Sequence, residues 1–178
     1  IQQSMNRNFH FFNAQNWTKE AFDKIKAKKI KLVPYLSEDK RLEAIINVEE
    51  LKSIIPLDVL IMAGGKGTRL MPLTEKVPKP LLKVGEKAII EHNVDRLINF
   101  GVQNIHISIN HFGNQIIDFF KNDRKRSNIH FVKEDKPLGT LGALALTQNI
   151  SNDYILVMNS DLITTINFER MYEVALNE

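Results

Sequence analysis

The chain has 178 residues, of which 43% are apolar, and this fraction supports a packed core and excludes a disordered chain. Its net charge is +3, and the basic excess lies in residues 1–57, because residues 58–178 carry fourteen basic and fourteen acidic side chains. The larger part therefore lacks the basic surface of a nucleic-acid-binding protein. Cysteine is absent, which excludes disulfides and thiolate metal sites.

The first third of the chain predicts a small α+β segment. Trp17 and Phe22 flank a helix N-cap at Thr18, at the spacing of a hydrophobic staple. Roughly fifty residues in this pattern are too few to build a large core alone. The predicted order is a helix from Thr18, strands at 31–36 and 42–48, and a second short helix from Glu49.

The rest of the chain alternates between strands and helices. The nearly continuous apolar run at 57–63 is typical of a strand buried in a parallel sheet. Such alternation predicts an α/β fold, in which right-handed crossovers place helices on a mainly parallel sheet. The predicted strands lie at 57–63, 105–109, 129–132 and 154–158, and the predicted helices at 89–98, 116–120 and 138–148.

A glycine-rich turn directly after the first buried strand carries the strongest chemical signal. Its glycines let backbone N–H groups point at phosphate oxygens, and Arg69 adds a bidentate, permanently charged clamp. Two familiar phosphate loops fit poorly, because Leu70 replaces the third glycine of a dinucleotide fingerprint and the Gly-Lys-Ser/Thr of a triphosphatase loop is absent. The alternative is an ordinary strand-to-helix turn. The turn contains Ala63, Gly64, Gly65, Lys66, Gly67 and Thr68.

Three later segments offer groups to the same ligand. Lys79 stands between two prolines, which restrict its backbone and exclude a regular helix. Gly139 and Gly142 lie at the start of a helix of small residues. The small side chains either let a ligand approach the backbone closely or form a tight loop that packs the helix on the sheet. Asp161 ends a buried strand, the place where open α/β sheets bind ligands. Its carboxylate suits Mg²⁺ shared with substrate phosphates, and a helix N-cap is the alternative.

These segments together resemble a known family of enzymes. The strings at 63–74 and 78–82 look like the signature of the sugar-1-phosphate nucleotidylyltransferases, and 137–140 and the strand ending in Asp161 match later landmarks of that family. The resemblance covers roughly residues 57–178. It implies a Rossmann-like nucleotidyltransferase fold, here truncated, with Mg²⁺ dependence and release of pyrophosphate.

The resemblance also implies the reaction and the roles of residues. A nucleoside monophosphate would pass from a nucleoside triphosphate to a sugar 1-phosphate, with Arg69 and Lys79 as the catalytic phosphate contacts and Asp161 as the metal ligand. The second metal carboxylate and most of the sugar pocket should lie beyond Glu178, so we expect this fragment alone to be inactive. The predicted nucleotide-binding residues are Ala63, Gly64, Gly65, Gly67, Thr68, Glu134, Gly139 and Thr140.

Glu134 bears on the choice of nucleotide base, because the segment before Gly139, which contains Glu134, should pass beside the base. Relatives that transfer uridylyl or thymidylyl groups commonly carry Gln at the position that matches Glu134. A carboxylate only accepts hydrogen bonds, and guanine presents two neighbouring donors, its ring N–H and its exocyclic amine. We therefore favour GTP as the substrate. In the alternative, Glu134 points to solvent beside Lys133 or Lys136 as a weak surface ion pair.

Residues 10–56 resemble the second repeat of a CBS pair, a small module that often senses adenine nucleotides. The ligand segment of that family, Thr/Ser-x-x-Asp, would fall on 47–50, which is Asn-Val-Glu-Glu in this chain. A docking or dimer-forming module is the alternative, and a homo-oligomer stays open. We therefore divide the chain into a partial CBS-like module at 1–56 and the first part of a nucleotidyltransferase domain at 57–178.

Two other functions compete with catalysis. A non-catalytic nucleotide sensor would combine the CBS-like module with a degraded transferase domain, although intact Arg69, Lys79 and Asp161 argue against decay. An NAD-dependent oxidoreductase would need a glycine at Leu70 and an acidic partner for a ribose, which is not evident. The histidines show no metal spacing, and His106 and His130 should be satisfied core or edge residues.

The same sequence suggests where the protein works. No apolar stretch approaches the ~20 residues that cross a bilayer, and no charged start followed by an apolar run marks a signal peptide. We therefore expect a cytoplasmic protein that contacts neither membranes nor nucleic acid. The chain does not begin with methionine, and we interpret Ile1 as an internal position of a longer product.

Overall fold

The computed structural model describes residues 8–121, 126, 128–136 and 138–177, and of 140 and 141 the backbone alone. The strands are β1 Leu32–Leu36, β2 Leu42–Asn47, β3 Asp58–Met62, β4 Lys83–Val84, β5 Lys87–Ala88, β6 Asn104–Ile109, β7 Ile129–Lys133 and β8 Ile155–Asn159. The helices are α1 Lys19–Ala27, α2 Ile89–Asn99, α3 Gly113–Phe120, α4 Gly139–Ala145 and α5 Phe168–Leu176, with 3₁₀ turns at Thr68–Leu70 and Lys79–Leu81. Pro137, part of one predicted landmark, lies outside the described residues.

A four-stranded parallel sheet in the order β7-β6-β3-β8 forms the centre of the larger part. Strand β3 lies between β6 and β8, and its consecutive residues Val59, Leu60 and Ile61 are all buried, so both of its faces are covered. Such a strand needs apolar side chains on both faces, which accounts for the unbroken apolar run. The α/β class and the mainly parallel sheet are therefore confirmed. Within the described residues, no helix is long and apolar enough to cross a membrane.

The first part of the chain packs around a core of its own. Helix α1 begins as predicted, because the Thr18 hydroxyl accepts a hydrogen bond from the Ala21 backbone N–H. Strands β1 and β2 pair as an antiparallel hairpin against that helix. The core residues of this segment are Phe12, Phe22, Ile25, Val33, Val48 and Ile54.

The predicted helix from Glu49 is wrong, because residues 48–50 form a turn. The Asn47 side chain accepts the Glu49 backbone N–H at 3.2 Å and donates to the Glu50 carboxylate at 2.9 Å. Asparagine side chains that bond nearby backbone in this way compete with helix formation. Helix α4 also ends earlier than predicted, where the Thr147 hydroxyl donates to the Ala143 carbonyl.

The first part of the chain is docked on the C-terminal end of α2. The backbone N–H groups of Lys52 and Ile55 donate to the carbonyls of Asn99 and Phe100. The Trp17 indole N–H donates to the Gly101 carbonyl at 2.7 Å. Carbonyls at a helix C-terminus lack partners within the helix, and here the preceding segment of the chain supplies donors to that end of α2.

His106 departs from the expectation of a satisfied core residue. Its side chain is 1% exposed, and its Nε2 has no hydrogen-bond partner within the described structure. Burial lowers the pKa of the imidazole, the stacked ring of His130 at 5.2 Å lowers it further, and Asp58 raises it in part. The folded protein therefore disfavours a proton that the unfolded chain accepts near pH ~6.5.

We expect the protein to lose stability as the pH falls from about 7.5 to about 5.5, because the unfolded chain binds the additional proton in this window. His106→Leu should flatten this dependence of the unfolding midpoint on pH. The exposed His10 provides the control, and His10→Gln should retain the wild-type dependence. Equal slopes for wild type and His106→Leu in thermal unfolding would contradict this account.

Candidate active site

The order of the strands creates a crevice at one edge of the sheet. From β3 the chain continues to β6 and β7 on one side, and it then returns to β8 on the other side. The carboxyl ends of β3 and β8 therefore flank a topological switch point, where open α/β sheets bind ligands. A cavity of about 610 Å³ lies there.

The predicted site residues meet at this cavity. Thr140 lies in α4, and its side chain is outside the described residues. Separate segments of the chain reach the cavity because the carboxyl ends of parallel strands share one edge of a sheet. The predicted residues that line the cavity are Ala63, Gly64, Gly65, Gly67, Thr68, Arg69, Lys79, Glu134, Gly139 and Asp161.

The glycine loop begins on the sheet and then turns sharply. The Ala63 backbone N–H donates to the Ser108 carbonyl, which ties the start of the loop to β6. Gly67 has φ of +64°, and a Cβ there would lie 3.1 Å from the Thr74 side chain and 3.3 Å from Lys79 Cβ. The Thr74 hydroxyl in turn donates to the Gly67 carbonyl at 2.8 Å. Glycine at this position thus brings the loop and Lys79 together.

Gly65 and Arg69 present open groups to the cavity. A Cβ added at Gly65 would meet no atom within 4 Å, so the missing side chain leaves space for a ligand beside the backbone. Arg69 is exposed in the first 3₁₀ turn. No ion pair or hydrogen bond holds its side chain within the described part of the chain. Its guanidinium therefore has its donors available for a phosphate.

Lys79 and Asp161 form an ion pair at the cavity, between the Lys79 ammonium and Asp161 Oδ2. Their side chains are 33% and 32% exposed, so both also face solvent. The sequence predicts a phosphate ligand and a metal ligand in these positions, and their direct contact was not expected. One carboxylate and one ammonium thus share the edge of the site.

Asp161 suits a metal ion that is shared with phosphates. Among the described residues there is no group of three or more His, Cys, Asp or Glu side chains that could hold a metal. Mg²⁺, however, is commonly bound by one or two carboxylates together with substrate phosphates and water. The described residues therefore fit a Mg²⁺ site shared with substrate phosphates better than a metal centre made of protein ligands alone.

Glu134 is buried beside the glycine loop and is only 5% exposed. Its Oε1 accepts a hydrogen bond from the Ser108 hydroxyl, and its Oε2 accepts the Leu138 backbone N–H at 3.1 Å. The alternative of a surface ion pair with Lys133 or Lys136 is therefore wrong. No cation pairs with this carboxylate in the described ranges, so its stabilisation comes from neutral donors.

Sequence reasoning missed the polar groups at the end of β6. Ser108 bonds the Glu134 carboxylate, and the Asn110 side chain lines the cavity and donates to the Glu134 carbonyl. Ser108 lies near the end of the buried strand β6 and Asn110 directly follows that strand, with the apolar Ile109 between them. Polar side chains at the carboxyl end of such a strand are a signal that could have identified them.

Comparisons with known proteins agree with this geometry. A family model described as "Nucleotidyl transferase" matches residues 58–178. The mannose-1-phosphate guanyltransferase of Saccharomyces cerevisiae is 38% identical over 117 residues, which cover 63% of this chain and 32% of that protein. The bifunctional protein GlmU of Methanococcus maripaludis is 36% identical over 107 residues, covering 60% of this chain and 25% of that protein.

A solved structure shares the fold. The crystal structure of HddC from Yersinia pseudotuberculosis complexed with GMP-PN matches with a TM-score of 0.61 and 31% identity. The match covers 68% of this chain and 55% of HddC, so the chain spans about half of that protein and a smaller share of the two relatives above. The family match begins with β3 and includes the glycine loop, Lys79, Glu134 and Asp161. The chain therefore belongs to the nucleotidyl transferase family.

Proposed function

We propose that the full-length protein transfers a nucleoside monophosphate from a nucleoside triphosphate to a sugar 1-phosphate and releases pyrophosphate. The observation that supports this function most directly is the meeting of the glycine loop, Arg69, Lys79 and Asp161 at one cavity. In this reaction a sugar-phosphate oxygen forms a bond to the α-phosphorus, and the bond to the bridging oxygen breaks. Pyrophosphate leaves with that electron pair. Catalysis of this type requires positioning and neutralisation of charge.

Each group at the cavity has a separate task in this proposal. The backbone N–H groups of 64–68 bind the triphosphate, as glycine-rich turns bind anions. Arg69 binds phosphate oxygens as a planar fork and stabilises the charge that develops on the leaving group. Lys79 binds the attacking or transferred phosphate. To do so, its ammonium leaves the carboxylate oxygen of Asp161 and binds a phosphate oxygen in its place.

Asp161 would hold Mg²⁺ together with oxygens of the substrate phosphates. When bound, the ion neutralises phosphate charge and orients the reacting groups. The exposure of the Asp161 side chain at the cavity supports this role.

Guanine is the base that the surroundings of Glu134 favour. A buried carboxylate is stabilised only by groups that donate to it, and the Ser108 hydroxyl and the Leu138 N–H occupy one lone pair on each oxygen. The remaining lone pairs suit the two neighbouring N–H donors of guanine, whereas uracil would present a carbonyl oxygen. Two of the similar proteins, the mannose-1-phosphate guanyltransferase of Saccharomyces cerevisiae and HddC in its complex with GMP-PN, support the same base.

We expect the full-length protein to release pyrophosphate fastest with GTP in a panel of triphosphates and sugar 1-phosphates. Glu134→Gln should lower kcat/KM for GTP by about 10–100-fold, because a hydrogen bond to a charged group contributes about 1.5–3 kcal/mol. Asp135→Asn, which neutralises the exposed neighbouring carboxylate, is the matched control and should leave the preference unchanged.

Two results would overturn parts of this proposal. Absence of pyrophosphate release from every pair of substrates would reject the transferase function. A wild-type preference for UTP or CTP, or an unchanged preference for GTP in Glu134→Gln, would reject the role of Glu134 while leaving the function in place.

The remaining expectations stay predictions. They include the CBS-like character of 1–56, an adenine nucleotide bound there, a homo-oligomer and a cytoplasmic location. At 47–50 the Asn47 side chain already forms hydrogen bonds with Glu49 and Glu50, and the Glu49 carboxylate also forms an ion pair with Lys31 at 2.9 Å. A ligand in that segment would have to replace these contacts.

A further inference from the structure

Asn93 is a polar residue on the buried face of α2. Its side chain is only 3% exposed, and its neighbours on that face are the buried Ile90, Val94 and Leu97. Burial of an amide is unfavourable unless its groups are hydrogen-bonded. The Asn93 Nδ2 donates to the Ser160 carbonyl oxygen at 3.1 Å, across 67 positions of sequence. The amide therefore has a specific partner at the end of β8.

Ser160 is held from two sides. Its backbone N–H donates to the Met62 carbonyl at 3.1 Å, which extends the pairing of β8 with β3 by one residue. Its carbonyl accepts from Asn93, and Ser160 itself is buried. The Ser160 backbone is thus fixed between the sheet, through its N–H, and α2, through the carbonyl of the peptide unit that it shares with Asp161. The orientation of this unit sets the direction in which the Asp161 side chain leaves the backbone.

Helix α2 supports both sides of this part of the cavity. One turn after Asn93, the Arg96 guanidinium donates to the Ile166 carbonyl, so α2 holds the segment that contains Asp161 at two points. The 3₁₀ turn Lys79–Leu81 packs against the same helix, and its Lys79 pairs with Asp161. A shift of α2 would therefore move both charged groups.

We propose that Asn93 is a positioning residue that orients Asp161 toward the metal and the phosphates. This inference rests on the proposed function. A metal-binding carboxylate depends on groups that fix its direction, and loss of such a group commonly lowers activity or metal affinity by about 10–100-fold. Asn93 does not line the cavity, and it acts through the Ser160 carbonyl.

A second amide of the chain makes the same type of bond far from the cavity. The Asn128 Nδ2 donates to the Val102 carbonyl at 3.2 Å, at the opposite end of the sheet, and its side chain is partly buried. If Asn93 only satisfies a buried carbonyl, its loss should affect stability in the way that the loss of Asn128 does. If Asn93 positions Asp161, its loss should in addition weaken metal binding and turnover.

The test compares full-length wild type with Asn93→Leu and Asn128→Leu. Pyrophosphate release gives kcat and KM, and electron paramagnetic resonance gives the affinity for Mn²⁺ in the presence of a non-hydrolysable nucleotide. We expect Asn93→Leu to lower kcat and Mn²⁺ affinity by about 10–100-fold, with little change in nucleotide KM. Asn128→Leu should leave both within about twofold of wild type, as expected away from the site.

Wild-type Mn²⁺ affinity in folded Asn93→Leu, or equal losses in both variants, would overturn the inference. If Asn93→Leu fails to fold, Asn93→Ser provides the same comparison with a smaller side chain. A wild type that releases no pyrophosphate would instead reject the proposed function. The Mn²⁺ measurement would still decide the role of Asn93 in that case.

Discussion

Replacing Arg69 with alanine in the full-length protein should lower turnover by about 10²–10³-fold, the usual effect of removing one preorganised donor from a charged transition state. Stability should change by no more than about 0.5 kcal/mol, as is usual for exposed positions. The structure supports this separation, because Arg69 is exposed, lines the cavity and has no hydrogen-bonded or charged partner within the described residues. Stopped assays of pyrophosphate release and urea unfolding measure the two quantities.

Two further variants show which property of Arg69 is needed. Arg69→Lys keeps the charge and loses the planar fork, so it should recover only part of the turnover. Arg170→Ala removes another exposed arginine, which lies in α5 and does not line the cavity, and should leave turnover unchanged. Near-normal turnover in Arg69→Ala would remove this residue from the mechanism.

The four strands of the central sheet, helices α2 to α4 and the meeting of the motifs at one cavity could be predicted from sequence, whereas the short strands β4 and β5 and helix α5 were not predicted. A strand that is covered on both faces of a parallel sheet is apolar on both faces, so β3 is visible as an unbroken apolar run. Residues that follow parallel strands share one edge of the sheet. The glycine loop after β3 and Asp161 after β8 therefore had to lie at the same edge, once the sheet was recognised as parallel.

The contacts that fix the site could not be predicted in this way. The bonds from Lys79 to Asp161, from Asn93 to Ser160 and from Ser108 to Glu134 join residues 82, 67 and 26 positions apart. They depend on which strand lies beside β3 and on how α2 packs against the end of β8. Neither the hydrophobic pattern nor the turn chemistry of a single sequence carries that information.

The errors have local causes. The helix expected from Glu49 is a turn because Asn47 offers the backbone a closer partner. His106 lies on β6 with its ring stacked on His130 of the neighbouring strand, and its Nε2 has no hydrogen-bond partner among the described residues. Secondary-structure propensity describes a single segment of the chain, whereas the turn at Glu49 and the surroundings of His106 depend on particular side-chain contacts.

Gly101→Ala should destabilise the protein by about 2–5 kcal/mol, the sum of left-handed backbone strain and overpacking. Gly101 has φ of +72°, and a Cβ there would lie 2.8 Å from both Ile54 Cα and the Ser53 carbonyl oxygen. These are backbone atoms, so no rotamer change can relieve the contact. The same residue accepts the hydrogen bond from Trp17, so the clash would fall on the junction between the first part of the chain and α2.

Gly85→Ala separates the two contributions, because Gly85 has φ of +65° and a Cβ there would meet no atom within 4 Å. This control should show the strain alone, at about 1–2 kcal/mol. Urea unfolding followed by fluorescence of Trp17, the single tryptophan of these 178 residues, reports directly on the junction. A loss in Gly101→Ala no larger than that in Gly85→Ala would mean that the first part of the chain can move away from α2 without a large loss of free energy. A larger loss, with an early change in Trp17 fluorescence, would identify this contact as the one that holds the first part of the chain to the helix carrying Asn93.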